Sequence, residues 1–148
     1  MVTVVGHWEW RDMVPMTEAP LWNLPLRDFG IVDWRMIPVT GIQHNERDRV
    51  RLTEFSSYEG AIGNSDRPRV FIEPRTPHQN PDTTWLHDFE HPEDCLYIFG
   101  SAHYNPTLFH RREHDPVVSI KTAQNRGVLW SHQAAVIVLY DRSQRGNG

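Results

Sequence analysis

Three short, mainly apolar runs, each ending in a loop rich in glycine or proline, most constrain the fold of this 148-residue chain. The runs are Val70–Glu73, Cys95–Phe99 and Val117–Ile120. Their apolar residues follow one another without alternation, a pattern typical of parallel strands buried on both faces of a sheet. The carboxyl ends of parallel strands lie at one edge, so we expect the three following loops to meet and form one ligand site.

The amino-terminal part of the chain alternates strand and helix. Thr3–Val5 predicts a strand, Met16–Asp28 a helix and Ile31–Val39 a second, buried strand. Pro20 and Pro25 lie inside the predicted helix, and each lacks a backbone N–H, so we expect this helix to be short or broken. With the three apolar runs, this order predicts an α/β domain with a mostly parallel sheet of about five or six strands and helices on both faces.

Later segments differ in how clearly they can be read. Trp130–Tyr140 predicts a helix, because its apolar residues recur at spacings of three, four and seven. A buried strand at Ala135–Leu139 is the alternative. Trp85–Phe89 predicts a short helix, and Leu52–Tyr58 fits either a strand or a helix.

Length and cysteine content exclude several classes of protein. The length fits one domain covering residues 1–148, and the single cysteine, Cys95, excludes an intramolecular disulfide framework and an all-cysteine zinc site within one chain. No run approaches the roughly 18 apolar residues that a membrane span requires, and the first residues lack the pattern of a secretory leader. We therefore expect a cytoplasmic protein that does not bind membranes.

The charge balance excludes a dedicated nucleic-acid binder. Lys and Arg number 15 against 19 Asp and Glu, and the net charge of −4 gives no overall attraction for phosphate. Contact with RNA would need a local arginine patch. The candidates for such a patch are Arg75, Arg111, Arg112 and Arg126.

Half of the chain resembles a known family in the order and spacing of its motifs. The segments are Val-Phe-Ile-Glu-Pro-Arg-Thr-Pro at 70–77, His-Pro-Glu-Asp-Cys-Leu-Tyr-Ile-Phe-Gly-Ser at 91–101, and residues 120–141, which include Ser-His-Gln-Ala-Ala-Val. They resemble the two cofactor loops and the closing helix of the SPOUT RNA methyltransferases. The resemblance implies a carboxyl-terminal trefoil knot, S-adenosylmethionine as cofactor, a homodimer paired through the first and last helices, and tRNA or rRNA as substrate. A plain doubly wound domain is the alternative fold.

The resemblance also implies which residues bind the cofactor. They are Ile72, Glu73, Pro74, Arg75, Phe99, Gly100, Ser101, Ile120, Val128 and Leu129. Main-chain groups would supply most of the contacts to the adenine, so cofactor binding depends on loop shape more than on side-chain identity.

The polar residues that serve catalysis in the family are missing from this chain. Ala102 stands where the ribose-methylating branch has a glutamate, and Val-Leu-Trp at 128–130 replaces Ser-Leu-Asn. The arginine of the first helix falls near Leu24, and Arg27 is the nearest substitute. His103 and Tyr104, next to the Gly100 loop, are the other catalytic candidates, since either could move a proton. The alternative is a catalytically divergent protein that binds a nucleotide or small ligand, or acts as a scaffold.

Nine histidines also suggest metal chemistry. His110-Arg-Arg-Glu-His114 matches H-x-x-E-H, so a zinc hydrolase using His110, Glu113 and His114 is a third hypothesis. Pro116 follows closely and disfavours the helix that this motif needs, so we expect no metal site. We interpret His87 and His91, also four residues apart, as a surface pair.

Overall fold

The computed structural model describes residues 1–43, 49–76, 80, 82–126 and 129–145 and contains a seven-stranded sheet. The strands are β1 (Val2–His7), β2 (Asp33–Ile37), β3 (Arg51–Glu54), β4 (Arg69–Ile72), β5 (Thr84–Trp85), β6 (Cys95–Phe99) and β7 (Val117–Ser119). Their order across the sheet is β3-β2-β1-β6-β4-β7-β5, and the six pairings between them are all parallel. The predicted α/β class with a parallel sheet is confirmed, with seven strands rather than five or six.

The three apolar runs form adjacent strands near the middle of the sheet. Every residue of β6 is buried, and β4 and β7 bury three and two of theirs. The Leu52–Tyr58 segment divides between β3 and a short helix. Thr84–Trp85 was not predicted as a strand, because a pairing of two residues leaves no periodicity to read.

The described residues also form four helices and one 3-10 turn. They are α1 (Pro15–Asp28), α2 (Tyr58–Ile62), α3 (Thr107–His110), α4 (Ser131–Gln144) and the 3-10 turn Leu86–Asp88. The predicted carboxyl-terminal helix is confirmed as α4, and the alternative strand at Ala135–Leu139 is wrong. In the segment predicted as a short helix, Trp85–Phe89, the 3-10 turn covers Leu86–Asp88, and Trp85 belongs to β5.

Helix α1 is continuous over 14 residues, so the prediction of a short or broken helix is wrong. Its buried residues Glu18, Trp22 and Leu26 lie four apart and face the sheet, whereas Pro20 is exposed on the opposite side. A proline on the outer face has no N–H for the carbonyl four residues earlier, but water can donate to that carbonyl instead, so the helix continues without a break.

The sheet separates two apolar cores. Alternate residues of β6 point to opposite cores, with Tyr97 in the larger one and Ile98 in the smaller one. Helices α1 and α4 cover the larger core and α2 covers the smaller one, which confirms helices on both faces. No helix among the described residues is long and apolar enough to cross a bilayer. The trefoil knot stays a prediction.

Tryptophan rings tie α1 to the amino-terminal strands. The Trp34 ring centroid lies 5.9 Å from that of Trp8 and 6.4 Å from that of Trp22. A Cβ at Gly6 in β1 would approach the Trp22 ring at 2.7 Å and the Met36 sulfur at 3.0 Å. The absence of a side chain at Gly6 therefore sets how closely α1 packs on the sheet.

We expect Gly6→Ala to lower the free energy of unfolding by about 1–3 kcal/mol, because the added methyl group overpacks the tryptophan contact. Gly60→Ala is the matched control, since a Cβ there has only ordinary contacts beyond 3.4 Å and lies in a helix. Denaturant unfolding should show the control as stable as the parent protein or about 0.5–1 kcal/mol more stable. Equal stability of the Gly6 variant and the parent would contradict the close packing.

Candidate functional site

A cavity of about 620 Å³ opens at the carboxyl ends of the central strands. Its wall contains the residues that directly follow β4, β6 and β7, so the three loops lie together as the apolar runs predicted. Its volume falls in the range of small-molecule sites, roughly 300–1,000 Å³. Among the cofactor-binding candidates, the cavity wall includes Ile72, Glu73, Pro74, Arg75, Phe99, Gly100, Ser101, Ile120 and Leu129. Val128 lies outside the described residues.

Several further lining residues were not named as cofactor-binding candidates, although some of them belong to the three loops predicted to form the site. They are Glu9, Ala102, Thr122, Ala123, Gln124, Asn125, Trp130, Ser131 and Ala134. The first of them, Glu9, follows β1, whose carboxyl end lies at the same edge because β1 pairs in parallel with β6. This pairing cannot be recognised from the sequence, and without it an acidic residue after a strand is interpreted as part of a solvent-exposed loop.

Gly100 lies in a tight turn of the cavity wall. A Cβ at this position would clash with the Tyr104 carbonyl oxygen and would approach the Pro106 side chain at 2.8 Å. Ser101 N–H donates to that same carbonyl at 3.0 Å, which closes the turn. The Ser131 hydroxyl donates to the Gly100 carbonyl and so fixes the start of α4 against this loop. At Gly100 the wall therefore consists of backbone without a side chain.

Glu73 is a buried acid in the cavity wall. Its side chain is only 6% exposed, and the Thr107 hydroxyl donates to its Oε1 at 2.8 Å. Burial is the main cause that raises the pKa of Glu73 to about 7, and the Thr107 hydrogen bond opposes it. Near neutral pH the group is therefore divided between its protonated and ionised forms.

Glu9 is a second buried acid in this wall and is 2% exposed. The Ala102 N–H donates to its two carboxylate oxygens at 3.2 and 3.1 Å. Burial raises the pKa of Glu9, and the Ala102 hydrogen bond opposes the rise. The Glu9 N–H in turn donates at 2.7 Å to Glu18, whose pKa is also raised by burial. These contacts join the segment after β1 to both the Gly100 loop and α1.

The arginine candidates do not converge on one patch. The Arg75 guanidinium lies 4.4 Å from the Trp85 ring centroid and donates to the Thr83 carbonyl at 3.1 Å. Arg112 pairs with Asp115 at 2.9 Å, and Arg111 donates to the carbonyl of that aspartate at 2.7 Å. Arg126 is exposed. Of the four, Arg75 lines the cavity.

The catalytic candidates lie outside the cavity wall. His103 Nε2 lies 3.2 Å from Asp12 Oδ2 at the surface, one residue beyond the lining residue Ala102. The Tyr104 hydroxyl lies 3.0 Å from His110 Nε2, and its ring stacks on Tyr58 at 5.1 Å.

Arg27 is exposed in the last turn of α1. Helix α1 begins after β1 at the cavity edge, so its last turn lies at the opposite edge of the sheet. The geometry therefore gives no support to a catalytic role for Arg27.

The H-x-x-E-H motif does not form a helical metal site. Helix α3 ends at His110, and the backbone at Arg111 is extended, so His110 and His114 do not share a helical face. Among the described residues, no group of three or more His, Cys, Asp or Glu side chains could hold a metal ion.

The surface interpretation of His91 is wrong. Its side chain is fully buried, with Nδ1 2.7 Å from the Tyr97 hydroxyl and Nε2 2.7 Å from Asp141 Oδ2. The histidine thus joins β6 to α4. Burial lowers the pKa of His91, against the effect of Asp141.

Comparison with known proteins shows the fold. No protein-family model matches the sequence, and no curated protein matches it. Similar solved structures include TrmJ from Z. mobilis ZM4, with a TM-score of 0.65, 12% identity, and 97% of this chain against 69% of that chain covered. A protein solved to study "the 2-OH methylation of C/U34 on tRNA" gives a TM-score of 0.67 at 14% identity, covering 100% and 92%.

A third similar structure is the SpoU methyltransferase AviRb from Streptomyces viridochromogenes, with a TM-score of 0.68 at 13% identity and 98% of this chain covered. The chain spans 59% of AviRb. At these identities the likeness shows the fold, and it confirms the predicted resemblance to SPOUT methyltransferase structures.

We expect Glu73→Gln to stabilise the protein at alkaline but not at acidic pH. The folded-state pKa of about 7 lies above the unfolded value near 4.5, so stability is lost as pH rises between these values. Above pH 7 the neutral glutamine should therefore raise the free energy of unfolding by up to about 3 kcal/mol, with little change at pH 4.5. Glu113→Gln, at an exposed position, is the control and should show no such pH dependence. Parallel stability curves for Glu73→Gln and the parent would contradict the burial of an ionisable group.

Proposed function

We propose that this protein is an S-adenosylmethionine-dependent methyltransferase that modifies tRNA or rRNA. One observation carries the proposal: the loops that the resemblance assigns to the cofactor meet in one cavity, in a fold shared with solved RNA methyltransferases. The bound cofactor would supply an electrophilic methyl group on a sulfonium. The protein's part is to bind it and to place a nucleophile beside it.

The residues present fit such a cofactor. Ile72, Phe99 and Leu129 provide apolar wall, and the turn at Gly100 permits close approach to backbone. Adenine binds well in a slot of this kind, because its edge can pair with main-chain donors and acceptors while its faces contact apolar side chains.

We also propose that the carboxyl-terminal third of the chain forms the trefoil knot of the resemblance. The strand order β6-β4-β7 and the contact of Ser131 with the Gly100 loop support it. Residues that follow β7 line the cavity, and α4 begins beside the loop that follows β6.

For proton transfer, the geometry favours His103 over Tyr104. The imidazole lies within hydrogen-bonding distance of Asp12, an arrangement that orients a general base, whereas the Tyr104 hydroxyl already contacts His110. The RNA would reach the exposed His103 from solvent. Phosphate contacts are proposed for Arg75 and Arg126 beside the cavity, with Arg111 and Arg112 as further candidates.

A second candidate function is a binding or scaffold protein that has lost catalysis. The placement of Arg27 at the opposite edge and Ala102 in the position of the family's glutamate favour it. This alternative keeps the ligand cavity and predicts binding without methyl transfer.

Cofactor binding and methyl transfer should both require the cavity. We expect labelled methyl groups to pass from S-adenosylmethionine to RNA isolated from a strain that lacks the gene. Ala123→Trp places an indole at an exposed position of the cavity wall, so it should weaken calorimetric binding of the cofactor by at least about tenfold and reduce transfer.

Gln144→Trp, an exposed residue at the far end of α4, is the matched control and should leave both measurements unchanged. Binding without transfer to any RNA fraction would favour the divergent binding protein. No binding of the cofactor or of its product would overturn the proposed function.

We further propose a homodimer through the outer faces of α1 and α4. A surface groove between these helices is lined by Pro20, Leu21, Leu24, Pro25, Asp28, His132, Gln133 and Val136. Leu21, Leu24 and Val136 are 43%, 48% and 37% exposed, an apolar strip that a partner would cover. The resemblance supplies the partner, a second copy of this chain.

We expect light scattering at micromolar concentration to show a dimer for the parent protein and a monomer for Leu21→Glu, because the carboxylate would be buried without a partner in the interface. Leu108→Glu is the control, since Leu108 is 74% exposed on α3, outside the groove, and should remain dimeric. A monomeric parent protein, or a dimeric Leu21→Glu variant, would contradict this interface.

A further inference from the structure

Two buried acids line the cavity. Strands β1 and β4 both pair with β6, on its two sides, so Glu9 after β1 and Glu73 after β4 lie on either side of the Gly100 loop. Their side chains are 2% and 6% exposed. Such burial of two carboxylates is costly unless a positive charge accompanies them.

Two basic side chains of the described residues lie near these acids: His103, which lies outside the wall and lowers the pKa of Glu9 through its charge, and Arg75, which lies in the wall. Arg75 is the one basic side chain among the described lining residues, and its guanidinium is held over Trp85 and by the Thr83 carbonyl. Neither Glu9 nor Glu73 forms an ion pair with a described basic side chain. The hydrogen bonds that they accept come from a neutral hydroxyl and a neutral amide.

We propose that Glu9 and Glu73 make the cavity select a cationic ligand, so that S-adenosylmethionine binds more tightly than its neutral product S-adenosylhomocysteine. This inference rests on the proposed function, because it concerns the cofactor of that reaction. The two molecules share the adenosine and the amino-acid group, and they differ at the sulfur, where the cofactor carries a methyl group and a positive charge. A carboxylate near that sulfur stabilises the cofactor but has no positive sulfur to attract in the product.

The same arrangement couples cofactor binding to proton release. Tyr58 from α2 interacts electrostatically with Glu73, and also with Glu9 and Tyr104. Arg75 lies two residues along the chain from Glu73. Burial holds the pKa of Tyr58 well above its usual range, so this phenol stays neutral at pH 6–8. With a pKa of about 7, Glu73 changes its charge within that range.

A bound cation favours ionised Glu73 and lowers its pKa, so the cofactor must displace the proton below pH 7. Full displacement makes binding about tenfold tighter at pH 8 than at pH 6. At pH 7, Glu73 releases on average about half a proton for each cofactor bound. The neutral product should show neither effect.

The test is calorimetric titration of the full chain with S-adenosylmethionine and with S-adenosylhomocysteine, at pH 6, 7 and 8, in two buffers of different ionisation enthalpy. We expect the ratio of the two dissociation constants to widen about tenfold in favour of the cofactor between pH 6 and pH 8. Glu73→Gln should remove the pH dependence and the proton release, and Glu9→Gln should narrow the ratio at every pH. Glu113→Gln, the loss of an exposed carboxylate outside the cavity, is the matched control and should behave as the parent.

Each outcome separates the hypotheses. Equal affinity for both ligands at every pH overturns the inference while leaving the proposed function intact. If Glu73→Gln weakens both ligands by the same factor, Glu73 only holds Thr107 and the loop, and the inference is again overturned. If neither ligand binds the parent protein, the proposed function itself fails.

Discussion

The central strand β6 is buried along its whole length, and the site depends on that burial. A strand with apolar side chains on both faces needs a neighbouring strand on each side and other elements packed against each face. Here β1 and β4 are the neighbouring strands, α1 and α4 cover one face, and α2 covers the other. Because all pairings are parallel, the carboxyl ends of these strands lie at the same edge of the sheet. The chain turns there, and its backbone N–H and C=O groups are free to bind a ligand.

The parts of the fold that could be predicted are those where burial leaves a pattern in the sequence. The apolar run Cys95–Phe99 and the helical spacing within α4 are such patterns. The segment Thr84–Trp85 is too short to show one. Pro20 led to the wrong prediction of a broken helix, because the effect of a proline depends on which face of α1 it occupies. His91 misleads for a similar reason, since only the tertiary structure brings Asp141 and Tyr97 to it.

The residues of the cavity also divide into those that could be predicted from the sequence and those that only the tertiary structure places there. Nine of the ten residues that the resemblance implies around a cofactor line the cavity, and most of them end or follow strands that could be read from the sequence. Glu9 was missed because its place depends on the pairing of β1 with β6, a contact between residues more than 90 apart in the chain. The side chains that could move a proton were harder still to place, since His103 and Asp12 meet across two loops.

The strand order has a consequence for the behaviour of the protein at high concentration. The two edges of the sheet are β3, four residues long with an exposed arginine at its start, and β5, only two residues long. A long, flat, apolar edge would offer its unpaired N–H and C=O groups to the edge of another molecule and so initiate aggregation. By placing its most apolar strands in the middle and its shortest strand at one margin, this chain presents little template for such growth.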